Sequence, residues 1–476
     1  MINAILKKEW IKLRGFVLLI SLVLTGVLGY FWYDLEYQFT TIEPESMMWY
    51  RFVHLEYKPY ESLFYLLGFF ALFLATVQFV SERVRNRVRI LSHLPLGFQK
   101  LLIVHFGVGL FFLFIFWLVT FLAVGSIFSF YYPIRLIGEV FNDFLGYLLV
   151  ISFVYLGIAS LIIQKSKLIG RVTFILMLGV IWLIVKPDFT KEFTHYYSFY
   201  SPILKEFVYQ KNNGNHNFEY KTKQGKNLTS EQYKASLPFV YWKDLDIQGK
   251  LPITIQNQSF DKTNIKKSRM SLEYRPKYLK NSRLKLFPFF NPISTDGVIR
   301  FPETALYIHD KRFELYDFDT KFLKEETKTV NQLLKAHNVN FPIKNIYGKA
   351  TNMKAFDLGY FFIDDQNQLF NISQADDKIS VKKINYPKDI SIAYIHISES
   401  KSQNIAGYII DTNSNIYLLD WELKLQSLKV DGFDYKNMRL QIIADSLYYL
   451  IRFNDKKNYH SIVYDKNYTV IDRLDL

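Results

Sequence analysis

Five apolar runs with at most one charge, 15–32, 62–80, 101–121, 144–163 and 168–185, follow one another in the first part of the chain. Each is close to the roughly 17 to 25 residues that cross hydrocarbon as a helix. Buried helices of a large soluble core do not string together so many runs of this length. The pattern therefore predicts about five transmembrane helices. The fifth run is interrupted by Gly170 and Arg171. Its twelve Leu, Ile, Val and Phe residues, at about −0.4 kcal/mol each, outweigh the ~3 kcal/mol of an arginine that can reach the interface.

From residue 193 the periodicity changes to short β-rich runs between polar turns. Thr229-Ser230-Glu231-Gln232 reads as a helix start before 233–245, and 327–337 as a second short helix. Beyond residue 300 the units 307–316, 359–370, 407–419 and 447–464 each read as strand, polar turn, strand. Gly359 and Gly407 lie 48 residues apart, the spacing of four-stranded propeller blades. An open sheet array and an unrelated α+β domain are the alternatives. The expected fold is thus an α-helical membrane domain (1–186), a mixed α/β connecting region (187–300) and a mainly-β, propeller-like soluble domain (301–476).

Basic residues give the orientation. The N-terminus carries Lys7, Lys8, Lys12 and Arg14, the loop 81–100 five more and the loop 164–171 three. Against these twelve stand Arg51, Lys58 and Arg135, which places the N-terminus and both loops in the cytoplasm. Five crossings then put the β-rich part outside a bacterial inner membrane. Tyr30 to Tyr33, Trp49-Tyr50, Tyr131-Tyr132 and Tyr196-Tyr197 all fall at ends assigned to the outer headgroup layer. Those aromatics after the first run offer no small-residue cleavage site, so the run stays as an anchor and not a signal peptide.

Charge changes this picture little. The formal net charge of +14 divides into +5 up to residue 185 and +9 beyond it. That is too weak a basic excess to require nucleic acid, and anionic lipid explains it as well. The absence of cysteine excludes disulfides, thiolate metal sites and thiol nucleophiles. The nine histidines show no zinc-pair spacing, and Asp364-Asp365 and Asp376-Asp377 read as turn residues. Glu61, Glu139 and Asp143 sit at span boundaries, where solvated carboxylates are ordinary. No catalytic residue and no cofactor is assigned.

Two cytoplasmic segments are more telling. Residues 2–13 place Ile2, Ile5, Leu6 and Trp10 on one helical side, the pattern of a helix lying in the headgroup plane before the first span. Between the second and third runs, Ser81 to Leu96 alternate basic and apolar residues into a turn broken by Pro95. Together these resemble the permease subunits of ABC-2 type exporters. In that family a Lys/Glu/Trp-rich interfacial helix, here Lys8, Glu9 and Trp10, precedes the first span. A segment matched here by Glu82, Arg85, Arg89, Leu91, Leu94 and Pro95 couples the spans to the ATPase. The alternative is that the arginines only set topology. No phosphate-binding loop is present in the sequence, so ATP hydrolysis belongs to a separate ATPase subunit. The resemblance further implies a homodimer or a second membrane subunit as partner, within the lipid bilayer. The family's usual sixth span has no counterpart after Val185, which leaves a membrane-anchored scaffold or sensor as the alternative function.

The β-rich part is similar to a family of bacterial, Bacteroidota-like membrane proteins whose name records only unknown function. The resemblance rests on 236–245, 249–252, 342–348 and 354–361.

Overall fold

The computed structural model describes residues 2–42, 45–55, 57–84, 98–163, 167–185, 193–214, 217–279, 285–387, 390–400 and 405–476. Packing divides the chain into two units, Met1–Phe189 and Thr190–Leu476.

The first unit is helical: α1 (Ile2–Tyr37), α2 (Glu45–His54), α3 (Glu61–Val84), α4 (Phe98–Tyr131), α5 (Ile137–Ile163) and α6 (Lys167–Val185). Pro133, whose fixed φ favours a turn, separates α4 from a short 3-10 turn at Ile134–Leu136. Among the described residues four helical stretches are long and apolar enough to cross a membrane, Ile2–Thr41, Glu61–Arg83, Lys100–Tyr131 and Ile134–Ile163. The fifth expected run does form a helix, α6, but its apolar stretch among the described residues, Arg171–Trp182, is shorter than a span. Leu18, Leu22, Phe69, Ile103, Phe111 and Phe130 are all more than half exposed. Such an apolar exterior suits hydrocarbon and not water.

One expectation about α1 is corrected. The chain does not turn between an interfacial helix and the first span; α1 is continuous from Ile2 to Tyr37. Its buried stripe is Ile5, Glu9, Leu13, Ile20, Leu24, Phe31 and Leu35, while Ile2, Leu6 and Trp10 are exposed. No helix breaker lies between residues 2 and 37 apart from the tolerated Gly15, Gly26 and Gly29, so nothing in the sequence forces a bend.

The second unit is mostly β. Its sheets are β1 (Tyr196–Ser201) to β4 (Asn227–Leu228); β8 (Leu286–Phe289) to β10 (Phe313–Asp317); β11 (Asn345–Tyr347) to β14 (Lys378–Ile384); and β15 (Ile392–Ile397) to β18 (Leu425–Leu428). A fifth sheet joins β19 (Arg439–Ala444) through β22 (Val470–Asp475) to β7 (Met270–Tyr274). A two-stranded hairpin pairs β5 (Ile253–Ile255) with β6 (Gln258–Phe260). All pairings are antiparallel, and β7, from the region expected only to connect, completes the sheet formed by the last strands. The expected helix at 233–245 is instead two, Ser230–Ala235 and Trp242–Ile247, because Pro238 lies where one helix would need an amide donor.

The sheets pack in succession. Tyr200 and Phe207 of the first meet Leu450 and Val463 of the last. Met270, Leu272 and Ile442 of the last meet Tyr408, Ile410 and Leu418 of the β15–β18 sheet. That sheet packs through Ile395, Ile397 and Ile409 on Phe361, Ile363 and Leu369. Tyr360 in turn touches Phe287, with ring centroids 5.2 Å apart. No closed barrel or propeller is found among the described residues.

Hairpin turns share one device. Asp364 accepts from the backbone N–H groups of Gln366 and Gln368, Asp411 from Asn413 and Asn415, and Asp465 from Asn467 and Thr469. A carboxylate at the strand end thus satisfies the donors that a tight turn leaves over. Asp376 and Asp377 act differently and hold a distant segment, through Ser294 N–H and the Asn291 side-chain amide.

Candidate functional site

At one end of the helical unit a charged network is buried among apolar side chains. Helical spacing builds it: Glu9 falls on the buried stripe of α1 and Lys8 and Lys12 flank it, Gln78 and Glu82 lie four apart on α3, and His105 lies about two turns into α4. Glu9 and Gln78 are fully buried, and Glu82 and His105 are 2% exposed.

Lys12 is the hub. Its ammonium lies 2.6 Å from Glu9 Oε1, 3.1 Å from Glu82 Oε1 and 3.0 Å from the Gln78 carbonyl, spending all three donors. Lys8 adds a second cation to Glu82 at 2.9 Å. Gln78 donates to Glu9 Oε2 at 3.0 Å and to the His105 carbonyl at 2.8 Å, while Tyr155 of α5 donates to Gln78 Oε1 at 2.6 Å. A Cβ on Gly109 would sit 1.9 Å from the Tyr155 hydroxyl, so only glycine lets α4 and α5 approach there. Two lysines balance two glutamates, which is how an apolar setting tolerates four charges. His105 Nδ1 faces the Leu101 carbonyl at 2.8 Å and therefore carries the proton. Its Nε2 lies 3.5 Å from Glu9 Oε1.

The sequence pointed to Lys8 and Glu9 in one motif and to Glu82 in another, and the structure joins them. Trp10 lies apart from the network, stacked on Phe112 at 6.1 Å. Arg85, Arg89, Leu91, Leu94 and Pro95 lie outside the described residues. Gln78, His105 and Tyr155 were missed as partners. Their signal was a polar residue four positions from Glu82, and an uncharged polar residue inside each of two apolar runs.

Toward the opposite end of the same helices Asp143 accepts from the Tyr60 hydroxyl at 2.7 Å and pairs with Lys58 at 2.7 Å. The Glu61 carboxylate accepts from Tyr65 at 3.1 Å. The Trp49 indole donates to the Tyr131 carbonyl at 2.8 Å, which fastens α2 to the end of α4.

The β-rich unit has its own buried charges. The side chains of Lys354, Asp357 and Glu399 are 1%, 2% and 0% exposed. The Lys354 ammonium sits 2.5 Å from Asp357 Oδ1 and 3.1 Å from Glu399 Oε2 and donates to the Lys349 carbonyl at 2.8 Å. Glu399 Oε1 accepts the Leu358 N–H at 2.6 Å. Desolvation pushes the Glu399 carboxyl up to about 7, with the neighbouring Asp357 adding to the rise and Lys354 opposing it. The cluster fixes the loop between β11 and β12 (Tyr360–Ile363).

A domain family described as a domain of unknown function, DUF4857, matches residues 197–464. No curated protein matches the chain.

Proposed function

The chain belongs to the DUF4857 family, whose description assigns no activity, and we propose from the site that it is a permease-like membrane subunit of an ABC-2 type ATP-driven exporter. In this reading α6 also crosses the membrane, and the fifth crossing places the β-rich unit on the extracytoplasmic side, where it handles substrate or a partner. A separate ATPase subunit supplies hydrolysis, and the membrane part works as a homodimer or with a second membrane subunit. One observation carries the proposal: Lys8 and Lys12 of α1 grip Glu82 at the root of the expected coupling segment. A push delivered to that segment by an ATPase passes through Glu82 to the first span, because buried ion pairs break at high cost and so move together. The succession of antiparallel sheets, four of them with four or five strands, supports the finer reading of a propeller-like array.

The competing reading is a membrane-anchored scaffold or sensor, favoured by four span-length helices among the described residues where the exporter family usually has six spans. The experiment that decides is co-purification with a cassette ATPase encoded beside this chain, comparing the native chain with Leu94→Asp. An apolar tip seated in a partner's groove does not tolerate an unpaired carboxylate. Loss of the ATPase with unchanged membrane insertion is the expected result. Unchanged association and unchanged ATP-dependent activity overturn the coupling assignment.

A further inference from the structure

A cleft of about 550 Å³ in the β-rich unit is lined by two uninterrupted stretches, Arg269 to Glu273 and Tyr394 to Ser398, with Gly348 and Lys349. Successive residues of a strand point to opposite faces. Lining by consecutive residues therefore means that the strands meet the cleft edge-on. Both are edges: β7 is the last strand of its sheet and β15 the first of its own.

The hydrogen-bond alternation says which backbone groups face the space. The Glu273 carbonyl accepts from the Tyr408 hydroxyl of the neighbouring sheet at 2.9 Å, so Glu273 points away from β19. In an antiparallel pair every second residue does the same, which turns the N–H and C=O of Ser271 toward the cleft as well. On the other side Ser398 N–H bonds the Ala406 carbonyl, and the Ala393 carbonyl accepts from Tyr347, facing outward. Ile395 and Ile397 then share the outward orientation, with their side chains buried in the core behind. With the Glu273 and Ala393 carbonyls already taken, the backbone groups turned to the cleft are those of Ser271 on one wall and of Ile395 and Ile397 on the other, along strand edges each about 17 Å long at ~3.3 Å per residue.

Charge selects among chains that could fill it. Arg269 and Lys349 line the cleft, Arg269 with Asp445 as an electrostatic partner behind the wall, and the carboxylate among the described lining residues, Glu273, is already held by Arg275 at 3.0 Å and by Arg439. His396 stacks on Tyr408 and is kept neutral by burial, which pushes its imidazole down to about 4. The wall therefore carries a net positive charge. We infer that this cleft binds an extended acidic polypeptide segment, which adds as a strand between β7 and β15 and places carboxylates against Arg269 and Lys349. Backbone pairing supplies affinity and the two cations select sequence.

The test uses the full-length chain in detergent and a fluorescein-labelled hexapeptide of alternating glutamate and valine. Saturable binding is expected, weakened at least tenfold when alternate peptide amides are N-methylated, because methylation removes strand donors and keeps every side chain. A lysine–valine hexapeptide should not bind, and Arg269→Gln with Lys349→Gln should remove the salt dependence of binding. Ser271→Pro deletes one cleft-facing N–H and leaves the β19 ladder intact, so binding should weaken roughly three- to tenfold at an unchanged melting temperature. If that variant melts early, the N-methylated peptide alone decides. Equal affinity for methylated and unmethylated peptides, absence of saturable binding, or equal displacement by succinate each overturns the proposal.

Discussion

Replacing Lys354 by methionine keeps much of the volume of the side chain and removes, among the described residues, the cation within 4 Å of two carboxylates whose side chains are 0% and 2% exposed. Removing one partner of a buried pair typically costs about 3–5 kcal/mol, since the remaining charge is left without compensation. The ammonium also lies 4.2 Å from the centre of the Phe290 ring, a contact that methionine retains only in part. For a domain of this size the loss corresponds to a fall of about 10 °C in melting temperature. The pH dependence gives a sharper check. The folded-state value of Glu399, about 7, lies above its ordinary 4.5, so the protonated form is the one that folding favours. Its contribution of about 3 kcal/mol is complete below pH 4.5, declines as pH rises through 7 and is absent above that. Glu399→Gln mimics the protonated form and should flatten this slope. In Lys354→Met the slope should steepen, and adding Glu399→Gln should recover much of the loss. Thermal melts of the full chain in detergent across pH 4.5 to 8.5 measure the effect. Hydrogen exchange of the amides of Ala355 and Leu358, both bonded to Glu399, assigns it to this unit. A shift below 1 kcal/mol for Lys354→Met, or a native profile that rises between pH 4.5 and 7 relative to Glu399→Gln, would refute the reasoning.

Three further outcomes are expected. His396, held down to about 4, disfavours folding as pH drops from 6.5 toward 4, and His396→Gln should remove about 2 kcal/mol of that acid sensitivity in melts normalised to neutral pH. Gly359 has φ +72° and a Cβ there would lie 2.1 Å from the Ile372 carbonyl oxygen, so Gly359→Ala should cost about 2–4 kcal/mol by denaturant titration, whereas Gly297→Ala should cost under 1. Gly109→Ala should lower the melting temperature of the helical unit more than Tyr155→Phe does, because it adds a clash to the loss of the Gln78 bond; equal shifts would contradict the close approach of α4 and α5.

Much of the architecture was legible because its signals are local. Apolar runs gave the helices, and strand, polar turn, strand gave the hairpins of Thr304–Ile308 with Phe313–Asp317, Tyr360–Ile363 with Leu369–Ala375, Gly407–Asp411 with Ile416–Leu419 and Tyr449–Asn454 with Tyr459–Tyr464, each closed within a few residues. The apolar side read in residues 2–13 divides in the structure, with Ile2, Leu6 and Trp10 exposed and Ile5 buried. Ile5, Glu9 and Leu13 form a stripe as regular as Ile2, Leu6 and Trp10, and hydrophobicity alone prefers the stripe without the glutamate. Only the partners on α3 and α4 make the buried stripe the one with Glu9, and such partners are invisible along the chain. Long-range pairing was hidden for the same reason. Nothing near Met270 says that its strand belongs beside Ala444. Lys354, Asp357 and Glu399 likewise resemble surface charges until the fold buries them.

The pairing of β7 with β19 also sets an order of events in the ribosome's time. The other sheets assemble from consecutive strands and can close soon after their own residues emerge. β7 is made early and must wait, unpaired on both sides, until nearly the whole unit has been synthesised. Throughout that interval Met270, Leu272 and Tyr274, all buried in the finished fold, are open to other strands. A chain arrested before Arg439 would release this segment with no strand of its own to meet, which makes it the place where a quality-control chaperone would first take hold.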